Sequence, residues 1–202
     1  MTQTQRNQCI VTAMMLLAIL IIDQAIKVWV KTHLAIGEAI IFADWCQLRF
    51  IENNGMAFGM EILPKWTLTT FRIAAVAALL WYIVRQVKQG IGWGMLLCLV
   101  SVTAGAAGNI FDCLFYGKIF STSTPYEVAR LVPWGEGYGT LLNGRVVDMF
   151  YFPLVEWNWP AWMPLWGGEH FIFFSPIFNF ADACISCSFV VLFLFYRKKL
   201  MQ

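Results

Sequence analysis

Four stretches of the chain, 10 to 30, 66 to 84, 93 to 116 and 171 to 196, are each apolar over the length a bilayer crossing demands, and no fifth window competes. A spanning helix needs about 20 mostly apolar residues to cover about 30 Å of hydrocarbon. Composition agrees, with 59% hydrophobic and 13% charged residues against roughly a quarter charged in an ordinary soluble domain. The expectation is a mainly α membrane protein, one membrane domain over 1–202 with four transmembrane helices.

Charge sets the expected orientation. With both termini cytoplasmic, the inner segments 1–9, 85–92 and 197–202 carry Arg6, Arg85, Lys88, Arg197, Lys198 and Lys199 and no carboxylate. The outer segments 31–65 and 117–170 then carry nine acids against six bases, which is the positive-inside pattern. The first window is read as a retained helix, because IVTAMMLLAILII runs into Asp23-Gln24-Ala25-Ile26-Lys27 and meets no small-residue cleavage site.

Segment 31–65 is expected to hold a small extracytoplasmic β subdomain. Ile40-Ile41-Phe42 and Cys46-Gln47-Leu48-Arg49-Phe50-Ile51 read as short strands, and Asn53-Asn54-Gly55 as a turn. Segment 117–170 is long, extracytoplasmic and aromatic-rich, with Trp157, Trp159, Trp162 and Trp166 crowded near its end. Tryptophan at that density belongs at the headgroup level.

Three acids fall inside the windows: Asp23, Asp112 and Asp182. An ionised carboxylate at the bilayer centre costs roughly 2.5 to 3.5 kcal/mol on insertion scales, so such residues pair with one another or mark a function. All three approach the same outer leaflet, and each has polar company: Gln24 and Lys27 with Asp23, Asn109 with Asp112, Asn179 with Asp182. Asp23 and Lys27 are spaced for an i,i+4 ion pair. Ser101, Ala104, Gly105 and Gly108 give the third helix a small face that admits a neighbour closely. For Asp23 and Asp112, interhelical glue and function stand as equal readings. Asp148, just outside the membrane in Gly144-Arg145-Val146-Val147-Asp148, changes the weighing. If it drops toward Asp182, the two carboxylates share one proton and become an acid and a base.

Five blocks taken in order carry a family resemblance: DQAIK (23–27), NNGMAFG (53–59), GNIFD (108–112), GRVVD (144–148) and FNFAD (178–182). Together they resemble the bacterial lipoprotein signal peptidases (signal peptidase II, the aspartyl peptidase family A8), over most of the chain apart from an insertion at 118–143. The resemblance implies a multi-pass enzyme of the bacterial inner membrane that cuts diacylglyceryl-modified prolipoproteins just before the lipidated cysteine. It implies Asp148 and Asp182 as the catalytic pair, without metal or cofactor. It also implies that Asp23, Lys27, Asn53, Gly108, Asn109, Asp112 and Asn179 support the pair or bind substrate and globomycin-like cyclic peptides. One departure is Cys113, where the family commonly has arginine; Arg145 and Arg72 are the candidate replacements. The insertion is the other, read as a lid or as a surface feature apart from catalysis. For the tryptophans, anchoring is the preferred account, and a platform for a lipid-modified substrate the sharper one.

Two rivals remain to be weighed. Cys184-x-x-Cys187 suggests a thiol oxidoreductase, but loop thiols for exchange are lacking, with Cys46 alone in the outer segments. Intramembrane acids suggest a small proton-coupled transporter, but they cluster near one leaflet and trace no path across. Only His33 and His170 are present, far apart, and there is neither a phosphate-binding glycine loop nor a basic aromatic patch for nucleic acid. A bundle with one small polar site is expected to work as a monomer.

Overall fold

The structure, a computed structural model, describes residues 1–54 and 64–200. Four helices in it are long and apolar enough to cross a membrane: α1 (Gln3–His33), α2 (Lys65–Lys88), α3 (Trp93–Ile119) and α4 (Phe180–Lys199). The expected turn at Asn53-Asn54-Gly55 and positions 55–59 of the NNGMAFG block lie partly or wholly outside the described residues.

Local chemistry moves the helix ends away from the apolar windows. Thr2 and Gln5 form a reciprocal capping box, so the polar stretch before residue 10 is already helical. Helix α2 runs on to Lys88, placing Arg85 and Lys88 in its last turn, where the dipole favours cations. Helix α3 passes through one π-wound turn at Asp112–Tyr116 before it stops.

The fourth window is corrected most. Residues 171–179 are not helical: His170–Phe173 is a strand, Phe174 has φ 65°, and the helix starts only after its N-cap, Asn179. Pro176 has no backbone N–H to donate, and the asparagine side chain accepts from the N–H of Asp182. Asp182 therefore sits in the first turn of α4. An apolar window records burial, and a short strand and a helix satisfy it equally well.

Helix α3 is the centre of the bundle, with 56% of its apolar window buried against 11% for each of the other three. Lipid tails are as apolar as leucine, so helices associate through close contact. A Cβ on Gly105 would stand 2.5 Å from the Ala181 carbonyl oxygen, and one on Gly108 would stand 2.6 Å from Asp23 Oδ2. Glycine is what lets α4 and α1 reach α3 there. At the end that holds both termini, Ile83, Val87, Met95, Leu96, Leu99, Val100 and Leu192 pack together. Gln8 closes that end by donating to the Ile91 carbonyl at 2.7 Å.

At the opposite end a three-stranded antiparallel sheet, ordered β1-β2-β3, is built from Ala39–Ala43, Cys46–Asn53 and Val146–Tyr151. The first two strands lie where short strands were expected. The third shows none because nearly all of it is buried, which removes the period-two signal. Val30, Leu34, Phe50, Tyr116, Phe120, Val147 and Met149 seat this sheet on the ends of α1 and α3. A separate hairpin, β4 (Val155–Asn158) with β5 (His170–Phe173), carries the tryptophan cluster: Trp157 packs 4.5 Å from Phe171 and Trp159 lies 6.3 Å from Trp166, between centroids.

Candidate active site

Asp148 lies in the middle of β3, buried, with Ile51 opposite it on β2. Two residues on, Phe150 forms a bridge with Phe178: its N–H donates to the Phe178 carbonyl at 2.7 Å and the reverse bond is 3.1 Å. Phe178 directly precedes the N-cap of α4. A β-bridge thus lays the strand carrying Asp148 against the helix start carrying Asp182.

Asn179 links the two acids. Its Nδ2 donates to Asp148 Oδ1 at 2.7 Å and to Asn109 Oδ1 at 3.2 Å, while its Oδ1 accepts from the Asp182 N–H at 2.9 Å. Asp182 Oδ2 in turn accepts from the Asn179 N–H at 3.3 Å. Asn109 Nδ2 donates to Asp182 Oδ1 at 2.8 Å, and Asn53 Nδ2 to Asp148 Oδ2 at 3.2 Å. Burial and the neighbouring Asp182 charge push the Asp148 carboxyl up to about 7, against the opposing hydrogen bonds from Asn53 and Asn179. Desolvation together with a like charge is the arrangement that keeps one proton on a carboxylate pair.

Behind the pair lies a fully buried ion cluster. Lys27 Nζ is 2.9 Å from Asp23 Oδ2, 2.7 Å from Asp112 Oδ2, and donates to Asn109 Oδ1 at 2.8 Å. The expected i,i+4 pair is present and is shared with Asp112 on α3. Asp23 Oδ1 also accepts from the Ala181 N–H at 3.0 Å, placing a carboxylate at the N-terminus of α4, where the helix dipole favours it. Gln24 donates to Asp112 Oδ1 at 2.8 Å and accepts from the Tyr116 hydroxyl at 2.9 Å. Because the Asn109 oxygen is held by a lysine and an amide, its NH2 must face Asp182. Asp23 and Asp112 thus tie α1, α3 and the start of α4 together beside the pair.

The structure brings together Asp23, Lys27, Asn53, Gly108, Asn109, Asp112, Asp148, Asn179 and Asp182. It does not bring Arg145 to the pair. Arg145 stands just before β3 and turns toward Glu52, whose sheet partner is Val147 and not Asp148. Its guanidinium bonds Glu52 at 2.9 Å and lies 5.2 Å above the Tyr138 ring. Arg72 reaches the position where the family arginine was expected, with Nη1 3.8 Å from Cys113 Sγ. The thiols of Cys184 and Cys187 are both free.

Sequence reasoning passed over Lys31, Glu52, Ser123 and Tyr138, which form a second buried polar cluster with Arg145. Lys31 was findable, since it follows Lys27 by four residues on the same helix face. Burial pushes the Glu52 carboxyl up, but Lys31, Arg145 and Ser123 together hold it below the usual range.

With this geometry in place, comparison with known proteins is decisive: the family model described as signal peptidase (SPase) II matches residues 15–197. The chain belongs to the signal peptidase II family. A lipoprotein signal peptidase of Porphyromonas gingivalis is 47% identical over 189 residues, covering 93% of this chain and 83% of the relative. The lipoprotein signal peptidase of Amoebophilus asiaticus is 32% identical over 193 residues, covering 90% and 75%. A solved bacterial membrane enzyme shares the fold with a TM-score of 0.60 at 19% identity, covering 93% of this chain and 94% of its own. In this signal peptidase II chain, then, the long segment between α3 and β3 is carried on an established family fold.

The double duty of Asn179 yields a separable prediction. Asn179→Ala removes cap and donor together and is expected to cost about 1 kcal/mol of stability as well as activity. Asn179→Ser keeps a capping oxygen, so its thermal transition in detergent should stay near wild type while cleavage remains impaired. Full activity in the serine variant contradicts a role for the Asp148 hydrogen bond.

Proposed function

We propose that this signal peptidase II acts as an aspartic endopeptidase, removing the signal peptide from diacylglyceryl-modified prolipoproteins just before the lipidated cysteine. One observation carries the mechanism: two carboxylates joined through a single asparagine, with Asp148 buried and held near a pKa of about 7. In this reading the pair carries one proton. The ionised partner takes a proton from water as it attacks the scissile carbonyl, and the protonated partner donates to the carbonyl oxygen. The tetrahedral intermediate then collapses when the leaving nitrogen is protonated.

Orientation belongs to the same proposal. Both termini and the α2–α3 connection face the cytoplasm, and the sheet end, with 31–65 and 117–170, faces outward, so the carboxylates work near the outer leaflet of the inner membrane. A single membrane domain, functioning as a monomer without metal or cofactor, suffices for this chemistry. Of the remaining motif residues, the buried Asp23, Lys27, Gly108, Asp112 and Asn179 support the pair from behind, and Asn53 and Asn109 hold its carboxylates directly, where substrate is bound. The exposed Trp162 and Trp166 sit at headgroup depth, where an amphipathic ring is at home. Globomycin-like cyclic peptides are expected to compete with the lipidated substrate.

Purified protein offered a lipobox peptide with and without the diacylglyceryl group tests this directly. The expected result is one new amino terminus, at the lipidated cysteine, by mass spectrometry. Equal cleavage of the unlipidated peptide removes the lipid requirement, and no cleavage of either removes the peptidase reading.

A further inference from the structure

Lys31, on α1, is fully buried. Its ammonium binds the Glu52 carboxylate and Ser123 Oγ, the latter at 2.9 Å, and lies 5.1 Å from the Tyr138 ring and 5.3 Å from the Phe120 ring. Ser123 Oγ donates to Glu52 Oε1 at 2.9 Å, Arg145 takes Glu52 Oε2, and the Arg145 N–H donates to the Tyr138 hydroxyl oxygen at 2.6 Å. Ser123 and Tyr138 both come from the insertion at 118–143.

The position of this cluster in the sheet gives it a task. Pairing of β2 with β3 is interrupted between Leu48 and Ile51, so the register beyond that irregularity is not enforced by the ladder before it. Directly beyond it, Glu52 stands opposite Val147, and its two neighbours in the sheet are the residues the site needs: Asn53 in sequence, and Asp148 next to Val147. A buried ion network is weak evidence for stability, and fixing register is its best-attested use.

We infer that the Lys31–Glu52–Arg145 network, closed by Ser123 and Tyr138, is a positioning device that holds β2 against β3 so that Asn53 meets Asp148. The insertion is thereby part of the scaffold of the site, and Glu52 is a positioning residue. The inference rests on the aspartic peptidase reading of Asp148 and Asp182.

The test compares wild type, Glu52→Gln, Ser123→Ala and the Lys31→Met/Glu52→Leu double variant on the lipidated lipobox peptide, with thermal transitions recorded in detergent. Replacing a buried ion pair by apolar residues is often neutral for stability, so the double variant separates folding from positioning. Expected is a fall in kcat of about tenfold or more for Glu52→Gln and for the double variant, since small misplacements of catalytic groups cost up to about a hundredfold. KM should stay within about threefold, which marks an interaction used in the transition state. The alkaline limb of the pH profile should move upward by about half a unit, because the Asn53 bond that favours ionised Asp148 is weakened. Ser123→Ala should shift both in the same direction by less. Folded variants with wild-type kcat and an unmoved limb overturn the inference. So does an activity loss that merely follows the unfolded fraction with the limb in place. If wild type itself leaves the peptide uncut, the peptidase reading fails first, and this inference falls with it.

Discussion

Asp148→Asn and Asp182→Asn are each expected to lower kcat by about a thousandfold or more, at the upper part of the range for general acid–base groups. Both substitutions keep size and hydrogen-bonding capacity, so the asparagine-linked framework around them should survive. Asn179 can still donate to an amide oxygen at 148, and an amide at 182 can still accept from the Asn179 N–H across the capping box. Peptide affinity, read by competition with a cyclic inhibitor, should change little, while turnover disappears. Near-normal turnover in either folded variant means that the water is activated elsewhere. The wild-type pH profile belongs to the same prediction. With the Asp148 carboxyl near 7, the singly protonated pair persists below that value and loses its proton above it. The rate should therefore fall on the alkaline side near neutrality, with an apparent constant that belongs to the pair.

The second large effect concerns stability. Lys27→Met replaces the one ammonium that lies between Asp23 and Asp112, all three residues being essentially inaccessible. Asp112 Oδ2 has no hydrogen-bond partner among the described residues and relies on that ion pair. Breaking a buried network by removing one partner costs about 3 to 5 kcal/mol, a large share of the margin by which most proteins stay folded. The expected outcome is poor recovery of monodisperse protein and a thermal transition lowered by many degrees. Adding Asp112→Asn to Lys27→Met should restore part of the loss, because it removes the stranded charge. A Lys27→Met protein as stable as wild type shows that the cluster is dispensable for folding. Asn109 would still lose the contact that aims its amide at Asp182.

The fold was legible where burial and periodicity coincide. Four apolar windows located the four helices long enough to span a membrane among the described residues, and β1 and β2 fall on the two short runs read as strands. It was illegible where burial is complete: β3 carries no alternation, and β5 merged into the fourth window because both are simply apolar. At the site, nine of the ten residues named from the motifs converge. Charge inside a membrane is costly enough that Asp23, Lys27, Asp112 and Asp182 stood out from the apolar background. Arg145 lies away from the pair, bonded to Glu52, because nearness along the chain does not fix where a side chain just before a strand turns. Glu52, Ser123 and Tyr138 left little signal, because polar residues in a loop segment look solvated until the tertiary structure encloses them.

The dual attachment of Asn179 bears on how this protein can change under selection. An inhibitor that grips this asparagine engages a side chain already committed to starting α4 and to seating Asp148. A lineage that exchanges the residue for one without a capping oxygen frays a membrane helix and loses the Asp148 bond in the same step, and even serine, which keeps the cap, gives up that bond. Variants recovered under sustained pressure should therefore keep Asn179.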